Sequence, residues 1–172
     1  RHGSVNFDTE ELHFDIDEKG KPTRCYFKRS KDANKLIEEF MLLANRTVAE
    51  SVACPGKGKK PKTLPYRIHD DPDPQKLENL RELTAKLGYK MKSTSTKGAT
   101  ARALNKLMEE VDGHREAKLV QTIALRSMMK AKYSTHNIGH FGLAFDYYTH
   151  FTSPIRRYPD TMVHRLLTRY QD

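Results

Sequence analysis

Leu12, Phe14 and Ile16 alternate with polar residues, a period of two that predicts a strand with one apolar face. Asp17-Glu18-Lys19-Gly20-Lys21 is a turn signal and Cys25-Tyr26-Phe27 can pair back, so Val5 to Phe27 reads as β structure, most simply a hairpin. The period then changes to 3.6. Between Ala33 and Val52, the residues Ile37, Phe40, Met41, Ala44 and Val48 share one face, while Lys35, Glu39, Arg46 and Glu50 take the other. Ser30 or Asp32 can cap this helix. Tyr66-Arg67-Ile68-His69 is a short strand. Asp71-Pro72-Asp73-Pro74 opens a second helix, with Pro74 near its first turn, which Gly88 ends after about Leu87. Two more helices follow, over Thr100 to Val111 and His114 to Lys130, broken at Asp112-Gly113. The second has an apolar face of Leu119, Ile123 and Met128, with Val120 and Ala124 alongside. His136 to Phe145 is interrupted by glycine and reads as extended. A last helix is expected from Pro154 to the chain end. The predicted fold class is α+β, mostly helical with an N-terminal β-hairpin and short strands.

Charge adds a partner to this picture. Lys and Arg number 31 against 22 Asp and Glu, a formal net charge of +9. The pI is about 9.5. Such a balance suits a polyanion, and equally suits a basic surface that water solvates. With 37% hydrophobic and 31% charged residues, 172 residues suit one domain with a large exposed surface. Mean hydropathy is −0.79, which agrees. No apolar run approaches the ~20 residues of a membrane span, and no signal-peptide pattern is visible. Cys25 and Cys54 form no CxxC pair; they read as free thiols of a reducing, cytoplasmic compartment, with a single disulfide the other option. The Lys-, Gly- and Pro-rich stretch from Cys54 to Lys62 is a solvated loop or a non-specific phosphate contact.

Two places can carry chemistry. In His150-Phe151-Thr152-Ser153-Pro154-Ile155-Arg156-Arg157-Tyr158-Pro159-Asp160, hydroxyls, a rigid proline and two guanidiniums share one short segment. Ser153 before Pro154 suits the first turn of a helix, whose free N–H groups, with Arg156 beside them, would attract a phosphate. Arg grips phosphate with two donors at once. The same residues can simply start a solvated helix. The second place is Glu38. At ~100° per residue, Glu39 joins the solvent face of its helix, whereas Glu38 lines up with Asn34 and Asn45 beside the apolar face. That polar stripe needs partners, supplied either by a network between helices or by a ligand. A carboxylate there can accept a hydrogen bond from a ribose 2′-OH, which DNA lacks. His69, His140, His150 and His164 match no compact ligand spacing and no Cys lies near them, so no metal site is assigned to them.

The string His140-Phe141-Gly142-Leu143-Ala144, then Tyr148 to Asp160, then Val163-His164-Arg165-Leu166-Leu167, resembles the signature of the ribonuclease II/ribonuclease R family, in its catalytic RNB domain. Tyr66-Arg67-Ile68-His69 is similar to the family's Tyr-Arg-Val-His strand. The resemblance implies a 3′-to-5′ exoribonuclease that degrades single-stranded RNA processively to nucleoside 5′-monophosphates. It implies that Arg156 is catalytic and stabilises the scissile phosphate, and that Glu38, first of the two adjacent glutamates, faces the ribose. Thr152, Ser153, Arg157 and His150 would contact RNA. Phe7, in Val5-Asn6-Phe7-Asp8, would stack on a base, the alternative being a half-buried strand residue.

The family's Mg²⁺-binding aspartate cluster has no counterpart here. Asp70-Asp71-Pro72-Asp73 aligns with a Pro-Asp-Pro turn, and Asp15-Ile16-Asp17-Glu18 reads as a hairpin turn. Residues 1–172 are therefore expected to be the C-terminal part of an RNB domain. The first part, with the metal ligands, and the cold-shock and S1 modules would belong to the parent protein. The fragment alone would then be inactive. A second reading is a non-catalytic RNA-binding or interaction module that retains the fold and has lost the metal site. A purely structural helical module leaves the Thr152–Arg157 segment unexplained.

Overall fold

The computed structural model describes residues 3–5, 11–28, 31–92 and 96–171. Strands β1 (Glu11–Ile16) and β2 (Pro22–Lys28) form the expected antiparallel hairpin, with Leu12 opposite Phe27 and Phe14 opposite Cys25. Asp17 closes its turn by accepting from the Lys19 and Lys21 N–H groups. Helix α1 spans Asp32–Ala53. Of the two expected caps, Ser30 lies outside the described residues. Asp32 lies inside the first turn, and the Asn34 side chain accepts from the Lys31 N–H at 3.1 Å. Strand β3 (Tyr66–Ile68) pairs antiparallel with β4 (Lys132–Ser134). Between them run α2 (Pro74–Lys86), α3 (Lys97–Val111) and α4 (Ala117–Ser127). Asp73 caps α2 by accepting from Gln75 and Lys76. Thr96 caps α3, which starts three residues earlier than its apolar pattern predicts.

Two apolar clusters hold the fold. One joins α2, α3 and α4 through Leu80, Leu104, Leu107, Val111, Val120 and Ala124, with Phe141. The expected face of α4 is rotated: Val120, Ala124 and Ser127 are buried, while Leu119 is exposed. The helix is also shorter than its sequence pattern. The second cluster packs Ala49, Val52 and Ala53 of α1 against Leu64, Tyr66 and Ile68 and against Val163 of the last helix, α5 (Tyr158–Gln171).

Only the second half of α1 enters that cluster. Ile37 and Phe40, expected on the buried face, are 59% and 60% exposed, and Leu36 and Leu43 are exposed too. The apolar side chains of the hairpin, Phe14 and Ile16 among them, are likewise in solvent. Periodicity placed an apolar stripe correctly on α1 without saying how far along its length a neighbour extends. Helix α5 begins at Tyr158, four residues after Pro154, so residues 154–156 form a turn before it.

Candidate nucleic-acid interface

The signature segment lies beside β3. Arg67 N–H donates to Tyr148 O at 2.9 Å, and Tyr66 and Thr149 form an antiparallel bridge. Thr149 Oγ1 donates to Pro65 O at 2.7 Å and is fully buried. The chain then leaves regular structure and is held by α1. Asn45, 3% exposed, accepts from the N–H of Phe151 at 2.9 Å and of Thr152 at 3.2 Å through Oδ1. Its Nδ2 donates to Tyr148 Oη at 3.1 Å. The next residue is held from α5: Ser153 N–H donates to Asp160 Oδ1 at 2.8 Å. The turn closes with the N–H groups of Arg156 and Arg157 both on Ser153 O. The Phe151 ring stacks on His164 at 4.2 Å between centroids, and His164 Nε2 lies 2.9 Å from Phe151 O.

This geometry revises the expected anion site. The N–H groups of residues 151, 152, 153, 156 and 157 are all occupied by protein acceptors. A helix N-terminus at Ser153-Pro154 does not exist, so Thr152 and Ser153 offer no free backbone donors. Thr152 Oγ1 is buried and has no partner among the described residues, and Ser153 Oγ lies 3.5 Å from Arg156 Nη2. The two arginines diverge. Arg156 is exposed at the tip of the turn, next to Ile155, which is fully in solvent. Arg157, expected to contact RNA, turns inward: its Nη2 donates to the buried Asp160 Oδ1 at 2.9 Å. It therefore braces the turn, and the guanidinium presented to solvent is that of Arg156.

His150 is half-buried, with Nδ1 2.7 Å from Tyr133 Oη and its ring edge-on to Tyr133 and Tyr148. Burial first, then the positive charge of Arg157, lowers its pKa to about 4; Asp160 opposes the shift. His140, edge-on to Tyr148 and His69, is lowered to about 3, chiefly by burial and then by His69 and Arg67. Both rings are neutral at pH 7. His69 is fixed by two backbone groups, with Nε2 against Met129 O and Nδ1 accepting from Gly142 N–H. A Cβ on Gly142 would stand 2.9 Å from that Nδ1, so only glycine permits the approach.

Glu38 lies on the exposed first half of α1. Seven residues before Asn45, it shares that residue's face about two turns, or ~10 Å, away. Phe7 lies outside the described residues. Asn45, Tyr148 and Asp160 are the parts of the site that sequence reasoning missed or left open. The Asn34–Glu38–Asn45 stripe was a real signal, since its last member does make a network between α1 and another segment. Mg²⁺ does not fit the described residues. Among the described residues no group of three or more His, Cys, Asp or Glu side chains could hold a metal ion. Asp73 is spent on capping α2, and Asp71 faces Lys97 at 3.3 Å.

The sequence matches the RNB domain family over residues 1–172. The chain belongs to that family. Among its relatives, ribonuclease R of Aquifex aeolicus is 46% identical over 167 residues, which cover 97% of this chain and 23% of that protein. Ribonuclease R of Mycoplasma genitalium, in complex with ribose-methylated single-stranded RNA, superposes with a TM-score of 0.83 at 32% identity. The match covers 96% of this RNB chain and 25% of that one. Yeast Ssd1, described as a pseudonuclease, gives a TM-score of 0.63 at 25% identity, over 78% of this chain and 16% of its own. The chain thus spans a quarter or less of these relatives. The α+β fold read from the sequence is the fold these RNB proteins share.

Proposed function

We propose that this chain is the C-terminal part of the catalytic domain of a ribonuclease R-like exoribonuclease. The activity proposed for the whole protein is 3′-to-5′ hydrolysis of single-stranded RNA, processively, to nucleoside 5′-monophosphates. The observation that carries this is the pinned turn at 151–157, which presents the exposed guanidinium of Arg156 while the N–H groups of residues 151, 152, 153, 156 and 157 are held by protein acceptors. A guanidinium so placed can grip a phosphate and favour charge that develops on it during hydrolysis. Glu38 accepts from the ribose 2′-OH, and the half-buried His150 flanks the RNA. Phe7 stacks on a base. The net charge of +9 draws the polyanion in. Mg²⁺ belongs to a part of the protein that the described residues do not include. The two exposed free cysteines suit a cytoplasmic location.

The test is a chimaera in which residues 1–172 replace the matching segment of Aquifex aeolicus ribonuclease R. Arg156→Ala should lower kcat roughly 100-fold with a small change in RNA affinity. Glu38→Ala should narrow the preference for RNA over DNA of the same sequence. Equal losses of kcat and affinity for the first, or an unchanged preference for the second, would overturn the assigned roles.

A second reading is a non-catalytic RNA-binding module. The likeness to yeast Ssd1, a pseudonuclease, favours it, as does the poor fit of the described residues to a metal. RNA binding that weakens with salt, in a chimaera without turnover, would decide for it.

A further inference from the structure

Asn45 stands out among the buried residues of α1. The others are Ala49, Val52 and Ala53, all apolar. A buried primary amide is costly unless its hydrogen bonds are made. Here they are made to one place: two consecutive N–H groups of irregular backbone, Phe151 and Thr152, and the hydroxyl of Tyr148 three residues upstream. Tyr148 is itself 5% exposed and boxed in by the rings of His140, Phe145 and His150, so its hydroxyl is a fixed point. It orients the amide, leaving Oδ1 rather than Nδ2 toward the two N–H groups.

The consequence reaches Arg156. Asn45 anchors residues 151 and 152 from one side, and Asp160 anchors Ser153 from the other. The segment that carries Arg156 is therefore a short tether fixed at its upstream end by two different helices. The same helix that holds the tether also carries Glu38 on the same face. One side chain thus sets the spacing between the group assigned to the phosphate and the group assigned to the ribose.

We infer that Asn45 is a positioning residue for RNA hydrolysis, acting through Arg156 by clamping the Phe151–Thr152 backbone to α1. The inference rests on the ribonuclease reading above. Asn45 touches no substrate. Its loss leaves Arg156 present but displaced, which penalises the transition state more than binding, since a shift of about 1 Å can cost on the order of 100-fold in rate.

The test uses the same Aquifex chimaera with single-turnover and steady-state kinetics on a single-stranded oligoribonucleotide. Asn45→Leu, which removes both acceptor and donor, should lower kcat about 100-fold with KM held within about threefold. Asn45→Asp keeps the acceptor and can receive the Tyr148 hydroxyl, so it should recover most of the loss. If Asn45→Leu fails to fold, Tyr148→Phe takes its place. Removing only the orienting hydroxyl should cost about tenfold in kcat at constant KM. Unchanged kcat, parallel changes in kcat and KM, or an Asp variant as poor as the Leu variant would overturn the inference. If the parent chimaera cleaves no RNA, the ribonuclease reading fails separately. The clamp is then decided by amide exchange in the 172-residue chain. Selective acceleration at Phe151 and Thr152 in Asn45→Leu, reversed in Asn45→Asp, supports it, and uniform or absent change refutes it.

Discussion

Asp160 is wholly removed from solvent, yet its Oδ1 receives both the Ser153 N–H and the Arg157 guanidinium. A charge pair in such a place is expensive to create and more expensive to halve. Asp160→Ala would strand the Arg157 guanidinium and the Ser153 N–H together, so it should destabilise the chain by about 3–5 kcal/mol. Urea unfolding of the two proteins measures this. A loss under about 1 kcal/mol would mean that water solvates the pair and that the turn does not depend on it. The neighbouring arginines show what a sequence conceals at this scale. Arg156 and Arg157 are chemically identical and adjacent, and the resemblance to the ribonuclease family covers both. Which one faces solvent depends on a tight turn where a helix had been expected. That turn exists because Asp160, seven residues after Ser153, pulls the Ser153 backbone toward α5.

At the scale of elements, the rings of His69, His140, Tyr148, His150 and Tyr133 form a column that stitches β3 and β4 to the signature segment. His140 and His150 bind a proton more weakly here, with pKa values of about 3 and about 4, than in an unfolded chain, where the value is 6.5. His140 is faced by His69 and Arg67, and His150 by Arg157, Arg67 and Arg156 with Asp160 opposing. The sign follows from linkage. The unfolded chain takes up protons first, so the stability these rings contribute is complete above pH 6.5 and is lost as pH falls toward about 4 and then about 3. Denaturation midpoints measured from neutral pH downward should show this decline, and His140→Gln should flatten its lower part. A midpoint that does not move over that range would show the rings to be solvated. None of this was legible from histidine spacing, which carries no information on which rings touch. The elements themselves were far more legible, because period and capping residues are local. Asp73 and Gly88 bracket α2 as read. The miss on α5 arose because Ser-Pro suits a turn as well as a helix start.

For the molecule as a whole, α+β class, hairpin and helix order were open to sequence reasoning, while the partition of burial was not. Apolar stripes on α1 and the hairpin signal a neighbour, and the structure shows which stripes have one. The second half of α1 packs on Leu64, Tyr66, Ile68 and Val163, whereas Leu36 and Phe40 remain exposed beside a hollow of about 270 Å³ lined also by Leu43, Arg46 and Phe145. Over this hollow the Arg46 guanidinium sits 5.2 Å from the Phe145 ring, covering some of its apolar floor.

One helix thus has two environments, and this has a consequence for motion. The hydrogen bonds of residues 49–53 can open only when the cluster around Val163 opens with them. Those of residues 36–40 lie on the exposed first half of the helix, where no buried cluster has to open with them. Amide exchange should therefore run along α1 as a gradient, fast over residues 36–40 and slowing by orders of magnitude toward residues 49–53. Uniform protection from end to end would refute it. With Glu38 on the expected fast side and Asn45 near the slow side, the carboxylate proposed for the ribose would ride on a part of the helix that opens readily, while the anchor of the Arg156 turn would not.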